Sequence, residues 1–257
     1  MPLLLLKATL APSLIGLASW IESRWGPTIG GVFTALPLTS GPVVLVLAFE
    51  RGPSFAATAS VGALLALISL CGFALAYSWS SRSLRWTGSS LLGCAAYLVC
   101  TVLLQRWSIT FDVTLVTVCG ILLACVYAMP LDSATKNRSA APAWDIPVRM
   151  IVAAILAVGI TTSAPVLGPK VSGLLTPFPV AATILAAFIH HFDGYPAARE
   201  FLRGLLKGLF SFAVFFLVIG ILIERWSIGA TFAMATVATM MCQAALWARI
   251  RSAEMLR

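Results

Sequence analysis

The sequence predicts an all-α protein, a polytopic bundle of about nine transmembrane helices. Apolar residues make up 60% of the 257 positions and charged residues only 10%, whereas an average soluble domain has roughly 45–50% and about 25%. A soluble fold would not cover so much apolar surface with so few polar side chains. The apolar residues also fall into long runs separated by charges, which is the pattern of helices that cross a bilayer.

Nine of these runs have the length of a transmembrane helix. A span needs about 20 mostly apolar residues, because the hydrocarbon core is about 30 Å thick and each helical residue rises about 1.5 Å. The runs are 3–21, 27–49, 54–80, 86–105, 108–129, 147–167, 170–190, 202–223 and 226–248. A signal peptide is the alternative for the first run, but Pro12 and the lack of a small-x-small cleavage site argue against it.

The basic residues predict the orientation of the chain. With nine spans, twelve of the 17 Lys and Arg residues lie on one side of the membrane and the other five lie opposite. The positive-inside rule places the richer side in the cytoplasm, so we expect the N-terminus outside and the C-terminus in the cytoplasm. The net charge of +8 is explained by this asymmetry, and no nucleic-acid partner is predicted.

An internal repeat relates the two halves of the chain at an offset of 142 residues. The residues that recur are Gly26, Pro27, Gly31, Thr34, Pro37, Gly52 and Ala56. Five of these seven are Gly or Pro, which set backbone geometry and do not merely fill apolar space. The architecture is then 4+1+4, with a first four-span repeat over 1–107, a connecting helix and linker over 108–146, and a second four-span repeat over 147–257. Five spans separate equivalent helices, so the copies should be inverted, as in many secondary transporters.

A Thr-x-x-Pro motif lies about ten residues into the second and seventh spans, ending at Pro37 and Pro179. Proline lacks an amide hydrogen and clashes with the carbonyl four residues earlier, so the carbonyls of Phe33 and Leu175 should be freed. Freed carbonyls within a bilayer must be buried in protein or line a polar cavity, which predicts a substrate site near the midplane. Its predicted residues are Thr34, Pro37, Thr39, Ser40, Thr176, Pro177, Pro179 and Thr183. An ordinary proline kink is the alternative for either helix alone.

The run from Ser172 to Pro179, Ser-Gly-Leu-Leu-Thr-Pro-Phe-Pro, is followed by His190, His191 and Gly194. It resembles the GlpM-like family of small bacterial membrane proteins, which are four-span units with a Gly-Leu-x-Pro-x-Phe-Pro segment and a later His. The match has a one-residue shift before the first Pro. It covers about 147–248 directly and the first half only through the repeat. The resemblance implies a fused, inverted pair of such units in a bacterial inner (plasma) membrane, and it implies no defined activity.

Several ionisable side chains near the span ends are candidates for a proton relay, and each has a simpler explanation. A His beside a carboxylate can relay protons near neutral pH, but residues at a span end are also ordinary interfacial decoration. Asp112 would begin the connecting helix, and Glu50 would form an interfacial pair with its neighbour Arg51. The relay candidates are His190, His191, Asp193, Asp112 and Glu50. Gln243, late in the ninth span, should bond to a neighbouring helix.

The sequence contains no catalytic motif, and we predict no enzyme activity, no cofactor and no metal site. No ionisable residue is expected near the midplane, so the site should take a neutral or amphiphilic substrate. The predicted function is therefore a transporter or flippase-like carrier. The alternative is an accessory protein that scaffolds envelope or exopolysaccharide assembly without transporting anything. The predicted partners are the lipid bilayer and a small-molecule or lipid-like substrate, with a homodimer left open.

Overall fold

The computed structural model describes the backbone of residues 2–104, 111–130, 142, 144–156, 158 and 179–255. Within these ranges, the side chains of 2–11, 111, 112, 251 and 253–255 lie outside the description. The described part is helical, with short turns and no strand. Its helices are α1 (Pro2–Trp25), α2 (Pro27–Thr34), α3 (Ser40–Arg51), α4 (Pro53–Ser80), α5 (Trp86–Leu104), α6 (Phe111–Ala128), α7 (145–156), α8 (Val180–Phe192), α9 (Tyr195–Leu222) and α10 (Ile228–Met255).

Four of these helices are long and apolar enough to cross a membrane, which supports the membrane-protein prediction. They are Pro53–Ser80, Trp86–Leu104, Tyr195–Leu222 and Ile228–Ile250. The segments Val113–Ala128 and Val180–Phe192 are apolar but shorter. A stretch of 28 residues is about 42 Å long, so α4 and α9 are longer than the hydrocarbon core alone requires.

The centre of the bundle is the contact between α4 and α9. Both helices also pack on α6, and they contribute Leu64, Phe73, Phe201, Leu205 and Phe216 to the buried core. The start of α9 lies beside the end of α4, because the Arg199 Nε donates to the Ser78 carbonyl over 2.8 Å. The two central helices are therefore antiparallel.

The ends of the helices recur at the 142-residue offset seen in the sequence. Helices α4 and α9 each have 28 residues and begin 142 residues apart, and the starts of α5 and α10 have the same separation. Gly52 and Gly194 precede α4 and α9 with φ of 91° and 86°, a left-handed conformation that glycine adopts without steric cost. The same residue type thus makes the same tight connection in both halves.

Two helices begin earlier than the predicted apolar runs. Helix α7 begins at 145, inside the predicted linker, where the Asp145 amide donates to the Pro142 carbonyl over 2.9 Å. Helix α9 begins at Tyr195 and not at 202, because Gly194 starts a new helix directly after α8. Lys207 is consequently twelve residues into α9, close to the middle of that helix.

Candidate functional site

The second predicted span is interrupted at the place that the Thr-x-x-Pro motif indicates. Helix α2 ends at Thr34 and α3 begins at Ser40, with a buried Pro37 between them. Across the break, the Leu38 amide donates to the Leu36 carbonyl over 2.8 Å, and the Gly41 amide donates to the Pro37 carbonyl over 2.8 Å. Proline thus separates two helices here and does not merely bend one.

Pro37 removes the helical donor of the Phe33 carbonyl, but a different carbonyl is left without a helical hydrogen bond. The Leu36 amide shifts by one residue and donates to the Phe33 carbonyl over 3.0 Å, so the prediction that the Phe33 carbonyl stays free is wrong. In a regular helix that amide would donate to Val32. The carbonyl left without a helical donor is therefore that of Val32. This residue is buried, with 3% of its surface exposed.

Gln243 of α10 satisfies this carbonyl from across the bundle. Its Nε2 donates to the Val32 carbonyl over 2.8 Å, and its Oε1 accepts from the Ser211 hydroxyl over 2.8 Å. The Val32 carbonyl fixes which way the amide points, since a carbonyl only accepts and must face the NH2 group, whereas the serine hydroxyl can serve either side. The expectation that Gln243 bonds to a neighbouring helix is confirmed, and its target is the helix break.

The first half contains the matching pair one repeat earlier. The Thr101 hydroxyl of α5 donates to the Ser69 hydroxyl of α4 over 2.9 Å, and these positions are 142 residues before Gln243 and Ser211. A threonine is too short to continue to a third helix. The extra reach of the glutamine is therefore specific to the contact with α2.

Helix α2 is held against α9 by close backbone packing. A Cβ added to Gly31 would clash with the Phe201 carbonyl, and one added to Gly204 would clash with the Thr28 carbonyl. One added to Gly208 would lie 2.7 Å from the Val32 carbonyl oxygen. Gly204 and Gly208 form a small-xxx-small motif of the kind that lets membrane helices approach closely. The Gly-x-x-x-Gly spacing is visible in the sequence, but it was not used to predict this contact.

Of the second predicted break, the structure describes only Pro179 and the helix that follows it. Pro179 directly precedes α8, and its carbonyl accepts the Thr183 amide over 2.9 Å, as Pro37 does for Gly41 one repeat earlier. Thr176, Pro177 and Leu175 lie outside the described residues. The predicted crossing of the two broken helices lies outside them for the same reason.

The predicted site hydroxyls that are described bond mainly within their own helices. Thr34 donates to the Gly30 carbonyl over 2.7 Å, and Thr183 donates to the Pro179 carbonyl over 2.9 Å. The Thr183 hydroxyl also lies 4.0 Å from the Cys94 sulfur on α5. Thr39 is exposed and Ser40 half-buried, so these two are the site residues most open to a ligand.

The two histidines among the relay candidates contact different helices. His190 is half-buried, and its Nδ1 lies 3.2 Å from the Tyr77 hydroxyl, which also donates to the Ala186 carbonyl over 3.1 Å. His191 is exposed and its ring packs edge-on against Trp86, with centroids 5.9 Å apart. The two imidazoles therefore meet different helices, in agreement with the 100° between adjacent helical residues.

The other three relay candidates lie at the ends of three different helices. Asp193 follows α8 and is half-buried, and Glu50 is exposed near the end of α3. Asp112 lies in the first turn of α6, with its side chain outside the description. Within the described residues, no group of three or more His, Cys, Asp or Glu side chains has the arrangement of a metal site.

A buried ionic cluster that sequence reasoning missed joins α1 to α7. The Arg149 guanidinium bonds to Asp145 over 2.6 Å and to Glu22 over 3.3 Å, with side-chain exposures of 2%, 4% and 7%. It also lies over the Phe188 ring of α8, 5.4 Å from the centroid. From the sequence, Arg149 is one of the twelve basic residues on the cytoplasmic side, and no partner is predicted for it. The i, i+4 spacing of Asp145 and Arg149 was the available signal.

Comparison with protein-family models, curated proteins and solved structures finds no match to this chain. The resemblance to the GlpM-like family stays a prediction that rests on the residues of the second half.

Proposed function

We propose that this chain is a small membrane carrier of the transporter or flippase type, with its substrate site at the paired helix breaks. The proposal rests on a backbone arrangement at proline that recurs in both halves of the chain. Pro37 and Pro179 each stand before a short helix and accept the amide hydrogen of the residue four positions later. Discontinuous helices at matching positions of two repeats are the usual pointer to a transporter binding site.

An inverted 4+1+4 arrangement of nine spans fits the packing of the described helices. The equivalent helices α4 and α9 are antiparallel, as an in-plane two-fold axis between the halves requires. Each half also packs on the other through equivalent helices. Helix α5 of the first half packs on α8 of the second half, and α10, the equivalent of α5, packs on α3, the equivalent of α8. The nine spans, the cytoplasmic C-terminus and the bacterial inner membrane belong to this proposal and rest on the sequence.

The substrate in this proposal is neutral or amphiphilic where it meets the breaks. The groups that the first break offers to a ligand are the hydroxyls of Thr39 and Ser40, which act as dipoles and not as full charges. A lipid-like molecule matches such a site, because its apolar tail can remain among the exposed apolar side chains of the bundle.

An accessory scaffold protein is the second candidate, and the satisfied first break favours it. Gln243 fills the vacant hydrogen bond of Val32 from within the protein, and Pro37 is buried. A break that exists only for packing needs no cavity or ligand.

Water access to the breaks tests the two candidates. In a variant whose six cysteines are replaced, Thr39→Cys and Thr183→Cys are exposed to a charged thiol reagent in right-side-out and inverted membranes. A carrier that alternates between sides allows both cysteines to react from each side. Val99→Cys on α5, 58% exposed among apolar side chains, is the lipid-facing control and should stay unmodified. If both test cysteines resist the reagent from either side, the breaks are packing features and the scaffold is correct.

A further inference from the structure

Basic side chains recur once per turn along the first half of α9. Arg199, Arg203 and Lys207 are four residues apart, so they follow one side of the helix. The positions one repeat earlier on α4 are Ala57, Val61 and Leu65. Because the equivalent helix packs in the same bundle without these charges, the shared fold does not require them. They are a property of one half and of one end of the bundle.

The protein itself supplies hydrogen-bond acceptors for the Arg199 guanidinium. Its Nε donates to the Ser78 carbonyl over 2.8 Å and to the Ser81 hydroxyl over 3.0 Å, and its guanidinium lies over the Tyr195 ring, 5.0 Å from the centroid. It joins the start of α9 to the end of α4.

Arg203 differs, because its Nε is buried without a hydrogen-bond partner in the part of the chain that the structure describes. A guanidinium N–H removed from water needs an acceptor, and leaving one unmade is among the costlier defects of a folded protein. The described residues supply no acceptor for this N–H, on a helix that has no need of the charge, so a bound anion is a suitable acceptor for it.

The depth of Arg203 fits an amphiphile. It lies eight residues after the start of α9, about 12 Å along the helix axis. The next residue, Gly204, packs on the backbone of Thr28 in the first turn of α2, and Gly208 packs on Val32 and Ala35 beside the break. Arg203 is five residues before Gly208, about 7.5 Å along the helix axis, and so lies between the break and the bundle end, at the level where a headgroup would enter before a tail.

The surrounding charge favours an anion. The turn after α4 carries the exposed Arg82 and Arg85, and the end of α10 carries the exposed Arg249. The carboxylates of Glu22 and Asp145 at this end are bonded to Arg149. Asp193 and Glu200 also lie near the start of α9, and cations still outnumber carboxylates there.

We propose that Arg203 binds the anionic headgroup, a phosphate or a carboxylate, of a lipid-like molecule that enters between the helices at this end. A guanidinium presents a planar fork of donors that matches either group in a bidentate manner. Lys207, one turn deeper, adds a second positive charge. The inference names the substrate class of the proposed carrier. It rests on that function only for the transport steps after binding, because a scaffold protein can hold an anionic lipid equally well.

Binding to the purified full-length chain tests the inference without any transport step. The protein in neutral detergent is titrated with short-chain phosphatidic acid, with short-chain phosphatidylcholine and with inorganic phosphate, and the shift in melting temperature is recorded. We expect phosphatidic acid to bind at least tenfold more tightly than phosphatidylcholine. A comparable effect of inorganic phosphate would identify a free anion as the ligand, whereas its failure would identify the lipid.

Arg203→Gln should lose this selectivity, with affinity for phosphatidic acid falling at least fivefold, whereas Arg203→Lys should keep part of it. The melting temperature of Arg203→Gln without ligand should stay level or rise, since the buried Nε–H that has no acceptor among the described residues is removed. Arg249→Gln, which removes an exposed cation at the same end, is the matched control and should bind as the wild type does.

The inference is overturned if Arg203→Gln binds phosphatidic acid like the wild type, or if Arg249→Gln loses as much affinity, because binding would then be general surface attraction. A strong loss of ligand-free stability in Arg203→Gln would also overturn it, since the guanidinium would then have a structural partner. None of these results bears on whether the breaks alternate between the two sides of the membrane.

Discussion

The transfer of the vacant hydrogen bond from Phe33 to Val32 predicts that Pro37 and Gln243 are energetically coupled. Gln243→Met keeps the length of the side chain and removes its amide, so the buried Val32 carbonyl loses its donor. An orphaned buried group costs about 1–3 kcal/mol, and hydrogen bonds within membrane bundles average about 0.6 kcal/mol. We therefore expect a loss of about 1–2 kcal/mol, which is a fall of roughly 2–8 °C in melting temperature at about 2–4 °C per kcal/mol.

In a Pro37→Ala background the same substitution should cost much less, because the Val32 carbonyl then has a donor from its own helix. Residue 37 then has an amide hydrogen for the Phe33 carbonyl, and the Leu36 amide is released to donate to Val32. Gln243 is no longer needed there. The double-mutant cycle, measured by thermal unfolding in detergent, should give a coupling energy of about 1 kcal/mol or more.

Thr101→Val is the matched control for this cycle. Thr101 makes the equivalent bond to Ser69 one repeat earlier but reaches no helix break, so its cost should be the same with Pro or Ala at position 37. An equal cost of Gln243→Met in both backgrounds would refute the transfer of the vacancy and leave Gln243 as an ordinary link between α9 and α10.

Two further substitutions test the contacts that position the first break. Gly204→Ala should destabilise the protein by about 1–3 kcal/mol, the usual cost of overpacking, since its Cβ would meet the Thr28 carbonyl. Gly229→Ala, which has open space around the added Cβ, should leave stability unchanged or raise it by about 0.5–1 kcal/mol, and a Gly204→Ala protein that melts no lower than Gly229→Ala would contradict the packing of α2 on α9. Arg149→Met should lower stability by about 3–5 kcal/mol, because it leaves two buried carboxylates without their cation. Adding Glu22→Gln and Asp145→Asn should restore much of the loss, and a triple variant no more stable than Arg149→Met would show that shape, not charge, holds α1 to α7.

The sequence by itself determined the class of the fold and the positions of several helix ends and breaks. Long apolar runs bounded by charges indicate membrane helices, because the bilayer fixes their length. Glycine and proline constrain the backbone through their own covalent structure, which is why the break at Pro37 and the connections at Gly52 and Gly194 were visible at the 142-residue offset. Information of this kind is local, and one residue and its neighbours carry it.

Only the tertiary structure decided which groups meet. The carbonyl of Val32 depends on an amide 211 residues later in the chain, and no local pattern could show that Gln243 would arrive there. The burial of Arg149 and Arg199 was hidden for the same reason, since a charge at the edge of an apolar run looks alike whether it faces water or a neighbouring helix. The sequence placed Arg203 at the start of a span, where a long side chain reaches the interface. Helix α9 begins earlier, at Tyr195, so Arg203 lies two turns into it, and among the described residues its buried Nε has no hydrogen-bond partner.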